Sequence, residues 1–225
     1  MDISIVIPAY KERNKIGDDI SAAGKFLKEN NFRGEIIVVD DGSKDGTAET
    51  ARSASATLAG GATLEVIEHE SHHGKGFAVR TGILRAKGDY IMFADSGSCV
   101  PFDNVLPGLE LIRQGKCDIA HGSRKLPQSR IVIPQTLFRR ISSRIFSVAA
   151  VYFMGMPKIS PIRSAGLRYI PGKSRKICTS NAKQTDLCSM RKYCFMRSKT
   201  GCESVNFRLN GRVTGTAGSV RVKIA

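Results

Sequence analysis

The sequence predicts an α/β fold in which helices cover both faces of a parallel sheet that is incomplete at the C-terminus. Three observations predict it. Apolar runs of strand length alternate with stretches of helical spacing through residue 125, which is the rhythm of βαβ units. The run Ile36-Ile37-Val38-Val39 is β-branched at every position, as suits a strand buried on both faces. After Met156-Pro157 the alternation stops, so the sheet is left without its last elements.

Each element follows from local pattern. Ile3 to Ile7 reads as a strand ending in Pro8-Ala9-Tyr10, and residues 11–30 carry helical spacing through Ile16, Ile20, Ala23, Phe26 and Leu27. The strand at 35–39 ends in Asp40 and Asp41, then Gly42-Ser43, before a helix expected from about Asp45 to Leu58. Thr63 to Ile67 is a third strand, Gly74 to Ala86 a helix opened by glycines, and Tyr90 to Phe93 a fourth strand. Phe102 to Arg113 is helical and Cys117 to His121 a fifth strand. Right-handed crossovers gather the strand ends on one edge. That edge is where open α/β sheets bind ligands. It would collect Pro8 to Glu12, Asp40 to Ser43, and Asp95 with Ser96 and Gly97. Asp45 and Thr47 can cap the following helix. Two adjacent carboxylates just off a buried strand exceed what capping needs, and they favour a ligand site.

Length and charge bound the rest. The 225 residues suffice for one domain of ordinary size with a sizeable core. No apolar run reaches membrane-spanning length, and the N-terminus MDISIVIPAY reads as a strand and not a secretion signal. The expectation is a cytoplasmic protein. The net charge of +15 raises nucleic acid or a membrane as partners. Its distribution is uneven: residues 161–225 hold 14 Lys/Arg against 2 Asp/Glu, so the basicity belongs to the tail and nucleic acid is the less favoured partner for the rest of the chain.

Four stretches, IVIPAYKE, VVDDGSKDGT, GKGFAVRTGILRAKGDYIMFAD and HGSR, stand in an order and spacing that resemble the family 2 glycosyltransferases. These enzymes have the GT-A fold, a Rossmann-like arrangement for nucleotide-diphospho-sugars. The branch most resembled is the dolichyl- and other polyprenyl-phosphate sugar transferases, and the likeness covers about residues 2–160. The resemblance implies transfer of glucose or mannose from a nucleotide donor, UDP-glucose or GDP-mannose, to a polyprenyl-phosphate acceptor. It implies that Pro8, Ala9, Tyr10 and Glu12 contact the nucleoside and that Asp40, with Asp41 beside it, serves the base. Lys75, flanked by Gly74 and Gly76, would stand near the diphosphate with Arg80 on the same helix, whose N-terminus favours an anion. Without those glycines, both basic residues would read as a solvated helix face. The family usually has Asn where Lys11 stands.

In the family, the loop after the fourth strand reads Asp-x-Asp and holds Mg²⁺ or Mn²⁺, hard ions that take oxygen ligands. Here it reads Asp95-Ser96-Gly97, leaving Asp95 as the expected protein ligand and catalytic carboxylate. The resemblance places Arg124 on the acceptor side, where a guanidinium fork suits a phosphate. Residues 135–156 alternate basic and apolar positions at helical spacing, with Arg139, Arg140 and Arg144 beside Leu137, Phe138, Ile141, Ile145 and Phe146. The pattern fits equally a peripheral contact with the cytoplasmic face of a membrane and a core helix whose arginines face water. Rival readings are transfer to a saccharide hydroxyl, a nucleotide-sugar-binding remnant without turnover, and a nucleic-acid binder acting through its basic tail.

The division expected is a catalytic domain over 1–160 and a basic irregular tail over 161–225. The tail has no sustained apolar period, and Cys178, Cys188, Cys194 and Cys202 match no zinc spacing. It is open to three readings: a disordered basic arm, a small irregular subdomain, or translation out of frame. The genetic code favours the last. Taking the final nucleotide of each codon with the first two of the next, PIRSAGLRYI permits Asp-Thr-Gln-Cys-Gly-Phe-Lys-Ile-Tyr, similar to the family's next motif. In the same phase SVNFRLNG permits Ser-Glu-Phe-Pro-Val-Glu-Trp, similar to a strand near the end of the family's catalytic domain. A frameshift near Ser160 would remove part of the acceptor site, including an Asp the family needs for activity, and impair this chain.

Overall fold

In a computed structural model, the residues described are 1–58, 61–97, 101–116, 119–123, 168–171, 204–208, 212–214 and 221–223. Arg124, the segment 135–156 and most of the tail lie outside them.

The strands are β1 (Ile3–Ala9), β2 (Gly34–Asp40), β3 (Thr63–Glu68), β4 (Tyr90–Phe93) and β5 (Ile119–Ser123). Between them come α1 (Ile16–Glu29), α2 (Thr47–Ser53), α3 (Lys75–Arg85) and α4 (Leu106–Arg113), with 3₁₀ turns at Ala54–Thr57 and Phe102–Val105. The helix expected from residue 11 starts only at Ile16, because Lys11 takes a left-handed φ of 57° that breaks the run. The helix expected to Leu58 tightens into the 3₁₀ turn after Ser53.

β3, β2, β1 and β4 lie side by side and parallel, in that order. The tail adds β6 (Arg168–Pro171) and β7 (Ser204–Arg208), and the sheet order is β3-β2-β1-β4-β6-β5-β7. β6 runs antiparallel to both β4 and β5, and β7 is parallel to β5. The sheet is therefore mixed at this side, and β5 does not neighbour β4. Alternation alone could not show it, since the insertion is made by a strand distant in sequence. β8 (Arg212–Thr214) and β9 (Arg221–Lys223) form a separate antiparallel pair.

Every residue of β1 and β2 is buried, as two-sided coverage requires. On one face Ile3, Ile5, Ile7, Ile36, Val38 and Met92 pack with Ile16, Ile20, Phe26 and Leu27 of α1. On the other, Val6, Ile37, Val39, Ile91 and Phe93 meet Ala78, Val79 and Ile83 of α3. At the amino edge Ser4 Oγ donates to Glu35 Oε1 at 2.5 Å and accepts from the Gly88 amide at 2.8 Å. The Lys87 amide also donates to Glu35, so this buried carboxylate holds the turn into β4. Among the described residues no helix is long and apolar enough to cross a membrane.

Gly82 lets α3 approach the sheet: a Cβ there would lie 2.3 Å from Val6 Cγ1 and 3.2 Å from Val39 Cγ2. Both neighbours are stiff and buried, so Gly82→Ala should cost about 1–3 kcal/mol through overpacking. Urea unfolding should show a lower midpoint with an unchanged slope.

Candidate functional site

Parallel register sets Ala9 opposite Asp40 and Asp40 opposite Glu68. The loops leaving β1, β2 and β4 consequently emerge at one carboxyl edge. Backbone and side-chain bonds sew the first two together. The Asp41 amide donates to Ala9 O at 2.9 Å, the Lys11 amide to Ser43 Oγ at 2.8 Å and the Glu12 amide to Thr47 Oγ1 at 3.0 Å. Thr47 Oγ1 in turn donates to Asp45 Oδ1 at 2.5 Å. Lys11 occupies a left-handed conformation that Asn tolerates better than Lys, a physical reason for Asn at this position in the family it resembles.

Gly42 is obligatory here. Its φ is +76°, and a Cβ would meet Ser71 C at 2.6 Å and the His72 amide nitrogen at 2.8 Å. Backbone thus packs on backbone, drawing the loop after β3 onto the end of β2. His69 N donates to Asp40 O at 2.9 Å, completing that contact.

The two adjacent carboxylates have opposite surroundings. Asp40 is fully buried; its Oδ1 accepts from the Ser43 amide at 3.3 Å, while Oδ2 has no hydrogen-bond partner among the described residues. Burial pushes its pKa up, aided by Glu68 and Asp45 and opposed by Ser43. Asp41 is also buried and accepts from the amides of His73, at 3.1 Å, and Gly74, at 2.6 Å. Its Oδ1 lies 3.0 Å from His69 Nδ1, and its Oδ2 lies 2.9 Å from His72 Nδ1. Burial pushes Asp41 up as well, but these bonds outweigh it and hold the carboxyl below its ordinary value. Asp40 therefore keeps an acceptor to spare, whereas Asp41 is committed to the loop that starts α3.

Opposite them, Lys75 Nζ pairs with Asp95 Oδ1. This brings the lysine expected at the diphosphate against the carboxylate expected at the metal. The Gly97 amide donates to Asp19 Oδ2 at 2.7 Å, and Gly97 has a φ of +91°. Buried Asp19 on α1 thus fixes the loop that carries Asp95. Tyr10 is exposed, and its ring lies 4.0 Å from that of His72, centroid to centroid. Pro8, Ala9 and Gly76 are buried, and Glu12 and Arg80 half-buried. Glu12 Oε2 meets Lys15 Nζ at 3.2 Å. Tyr10, Asp40, Asp41, Lys75 and Asp95 thus belong to connected loops. Ser43 stands at the edge where the sequence puts it and Thr47 joins Glu12 to Asp45, whereas Asp19 and the histidines carry no role in the sequence reading. The HESHHGK run signals them by composition, but their convergence on Asp41 needs the fold.

The opposite pKa directions give opposite signs. A carboxyl with a raised pKa destabilises the fold once ionised, so Asp40→Asn should leave stability at pH 7 unchanged or raise it. A carboxyl with a depressed pKa stabilises the fold above its unfolded value and loses this as pH falls through the folded value. Asp41→Asn should cost about 1–3 kcal/mol at pH 7 through its buried hydrogen bonds, and the difference should shrink below pH 3.8, the ordinary value. Urea melts in EDTA at a series of pH values check both.

Comparison with known proteins places this arrangement. A family model described as glycosyl transferase family 2 matches residues 4–146. Dolichyl-phosphate beta-glucosyltransferase of Drosophila melanogaster is 32% identical over 151 residues, covering 63% of this chain and 46% of that protein. Dolichol-phosphate mannosyltransferase of Pyrococcus furiosus is 30% identical over 163 residues, 72% of this chain and 44% of that one. The chain thus aligns with a little under half the length of these relatives. Among solved structures, Mycobacterium tuberculosis glucosyl-3-phosphoglycerate synthase superposes with a TM-score of 0.64 at 19% identity, covering 96% of this chain and 73% of that one. The same enzyme bound to Mn²⁺, UDP-glucose and phosphoglyceric acid gives 0.64 at 18% identity, covering 100% of this chain and 72% of that one. At these identities the structures speak for the fold, which is GT-A. With its strand-end loops, its four-strand parallel half-sheet and the matched family model, the chain belongs to glycosyl transferase family 2.

Proposed function

We propose that this chain derives from an enzyme that transfers a hexosyl group from a nucleoside diphosphate to a polyprenyl phosphate. The observation that carries the donor half is the buried Asp40 Oδ2 without a partner at an edge where Lys75 and Tyr10 also stand. A nucleobase N–H can supply the bond that Asp40 lacks, and donation to the ionised carboxylate reverses the penalty of burial. Tyr10 offers an exposed ring for stacking on the base. Lys75, released from Asp95, offers its ammonium to the diphosphate, close to the first turn of α3. Pro8, Ala9 and Glu12 shape the nucleoside side by resemblance, and Arg80 adds positive charge on α3.

The reaction is in-line attack by a phosphate oxygen of the acceptor on the anomeric carbon. The new carbon–oxygen bond forms as the bond to the donor's β-phosphate oxygen breaks, with inversion, and the electron pair leaves on the nucleoside diphosphate. The acceptor phosphate is already ionised at neutral pH, so no side chain has to remove a proton. Asp95 gives a hard oxygen ligand of the kind Mg²⁺ or Mn²⁺ takes, while Gly97 gives none, so such an ion would depend on the diphosphate's oxygens for much of its shell. When bound it would offset negative charge on the departing group. Arg124 and residues 135–156 are the acceptor-side and membrane-side candidates. The similarity to dolichyl-phosphate sugar transferases supports the acceptor class.

A second reading rests on the tail. We infer that residues 161–225 are out of frame beyond a catalytic framework at 1–160, since two family-like strings occur there in one alternative phase. This polypeptide would then bind donor but turn over poorly. Sequencing the gene settles the phase.

Labelled UDP-glucose and GDP-mannose with a short polyprenyl phosphate should yield lipid-linked sugar, more with a frame-corrected chain than with this one. Sugar appearing only on a saccharide hydroxyl would replace the acceptor assignment, and donor binding without product from either chain would mark a remnant. Lys75→Ala and Asp40→Ala should each weaken nucleoside diphosphate binding about 10- to 100-fold, the range of one charge-assisted bond. Calorimetric titration reads this without turnover.

A further inference from the structure

We propose that Asp41, His69 and His73 form a binding site for a zinc-class transition-metal ion, separate from any ion at Asp95. A carboxylate oxygen and one ring nitrogen from each histidine lie within 4.8 Å of one another. The closest pair, Asp41 Oδ1 and His69 Nδ1, is 3.0 Å apart. Tetrahedral zinc bonds of about 2.0–2.1 Å set ligand atoms about 3.3 Å apart, so the first pair would open slightly and the His73 ring would have to turn inward to complete the set.

The hydrogen bonding around the cluster is compatible with a cation. Thr81 Oγ1 lies 3.1 Å from Phe77 O and 3.2 Å from His69 Nε2, so with its own proton on Phe77 O it can accept one from Nε2 and leave Nδ1 free to bind a metal. In the metal-free protein Nδ1 can instead donate to Asp41 Oδ1, and an ion bound by both atoms would take that proton's place. His73 Nδ1 lies 2.7 Å from Ser71 O and donates to it, which leaves Nε2 as the lone-pair nitrogen of that ring. Ser71 O thereby orients His73, and Thr81 is placed to do the same for a metal-bound His69, as outer-shell partners do around histidine ligands. The amides of His73 and Gly74 hold the carboxylate. His69 is almost fully buried while His73 is exposed, so the site opens to solvent on one side, where water supplies a fourth ligand. His72 sits on the other carboxylate oxygen, Oδ2, and is not one of the three.

Two imidazoles and one carboxylate suit Zn²⁺, Co²⁺ or Ni²⁺ and not Mg²⁺, which prefers an all-oxygen shell. A bound ion would tie the ends of β2 and β3 to His73, two residues before α3 begins at Lys75. The test uses the full chain after EDTA treatment, with its cysteines alkylated so that thiolates cannot bind metal. Titration with Co²⁺ should give visible ligand-field bands saturating at one equivalent. Zn²⁺ should bleach the bands, and Mg²⁺ in about thousandfold excess should leave them. His73→Ala should weaken Co²⁺ binding at least about tenfold, with an unchanged melting temperature in EDTA, and His72→Ala should bind as the wild type does. Absence of saturable bands, displacement by Mg²⁺, or wild-type affinity in His73→Ala would overturn the assignment.

Discussion

The pairing of β1 with β2 is the constraint on which the rest of the molecule depends. Seven residues of each strand run parallel in unbroken register, all buried, and the ladder ends where Ala9 accepts from the Asp41 amide. Period-two geometry leaves no freedom: a slip of one residue would exchange the face that packs on α1 for the face that packs on α3. The same register fixes how far each loop extends past the sheet. Tyr10, Asp40 and the loop after β3 meet because their strands stop level with one another.

Glycine and carboxylate divide the work at that edge. Gly42 admits the Ser71–His72 backbone, and Gly97 admits a left-handed turn that Asp19 holds from α1. The carboxylates then differ by what they are given. Asp41 receives two amides and two imidazoles and becomes structural, whereas Asp40, one residue earlier, keeps an oxygen in reserve. A buried unpaired acceptor is costly, so its survival beside a fully satisfied neighbour is explained most simply by a ligand that supplies the missing donor. The Lys75–Asp95 pair fits the same view, since each group neutralises the other and either would be released to a charged ligand.

The loop from His69 to Lys75 connects the two halves of the site. It carries the ring contact between His72 and Tyr10, the bonds that hold Asp41, and the lysine facing Asp95. Three histidines in five residues, all within reach of Asp41 or its neighbours, make this the part of the chain where the chemistry departs furthest from a plain nucleotide fold.

The order of strands and helices as far as β5 was legible because β-branched runs and helical spacing are local properties. The helix boundaries moved where a turn intervened, at Lys11, after Ser53 and at Phe102–Val105, and β1 and β5 run two residues further than expected. The gathering of these loops at one edge was legible too, since carboxylates after a buried strand and glycines around Lys75 are readable as a pattern. The position of β6 between β4 and β5 was not, because pairing between segments about fifty to eighty residues apart leaves no periodic mark. Nor was the difference between Asp40 and Asp41: adjacent in sequence and identical in type, they are told apart only by which donors the folded loops bring within reach. Sequence by itself determined the family, the parallel half-sheet and the residues available for chemistry. Tertiary structure decided the partners of each, because hydrogen bonds and burial belong to neighbours in space.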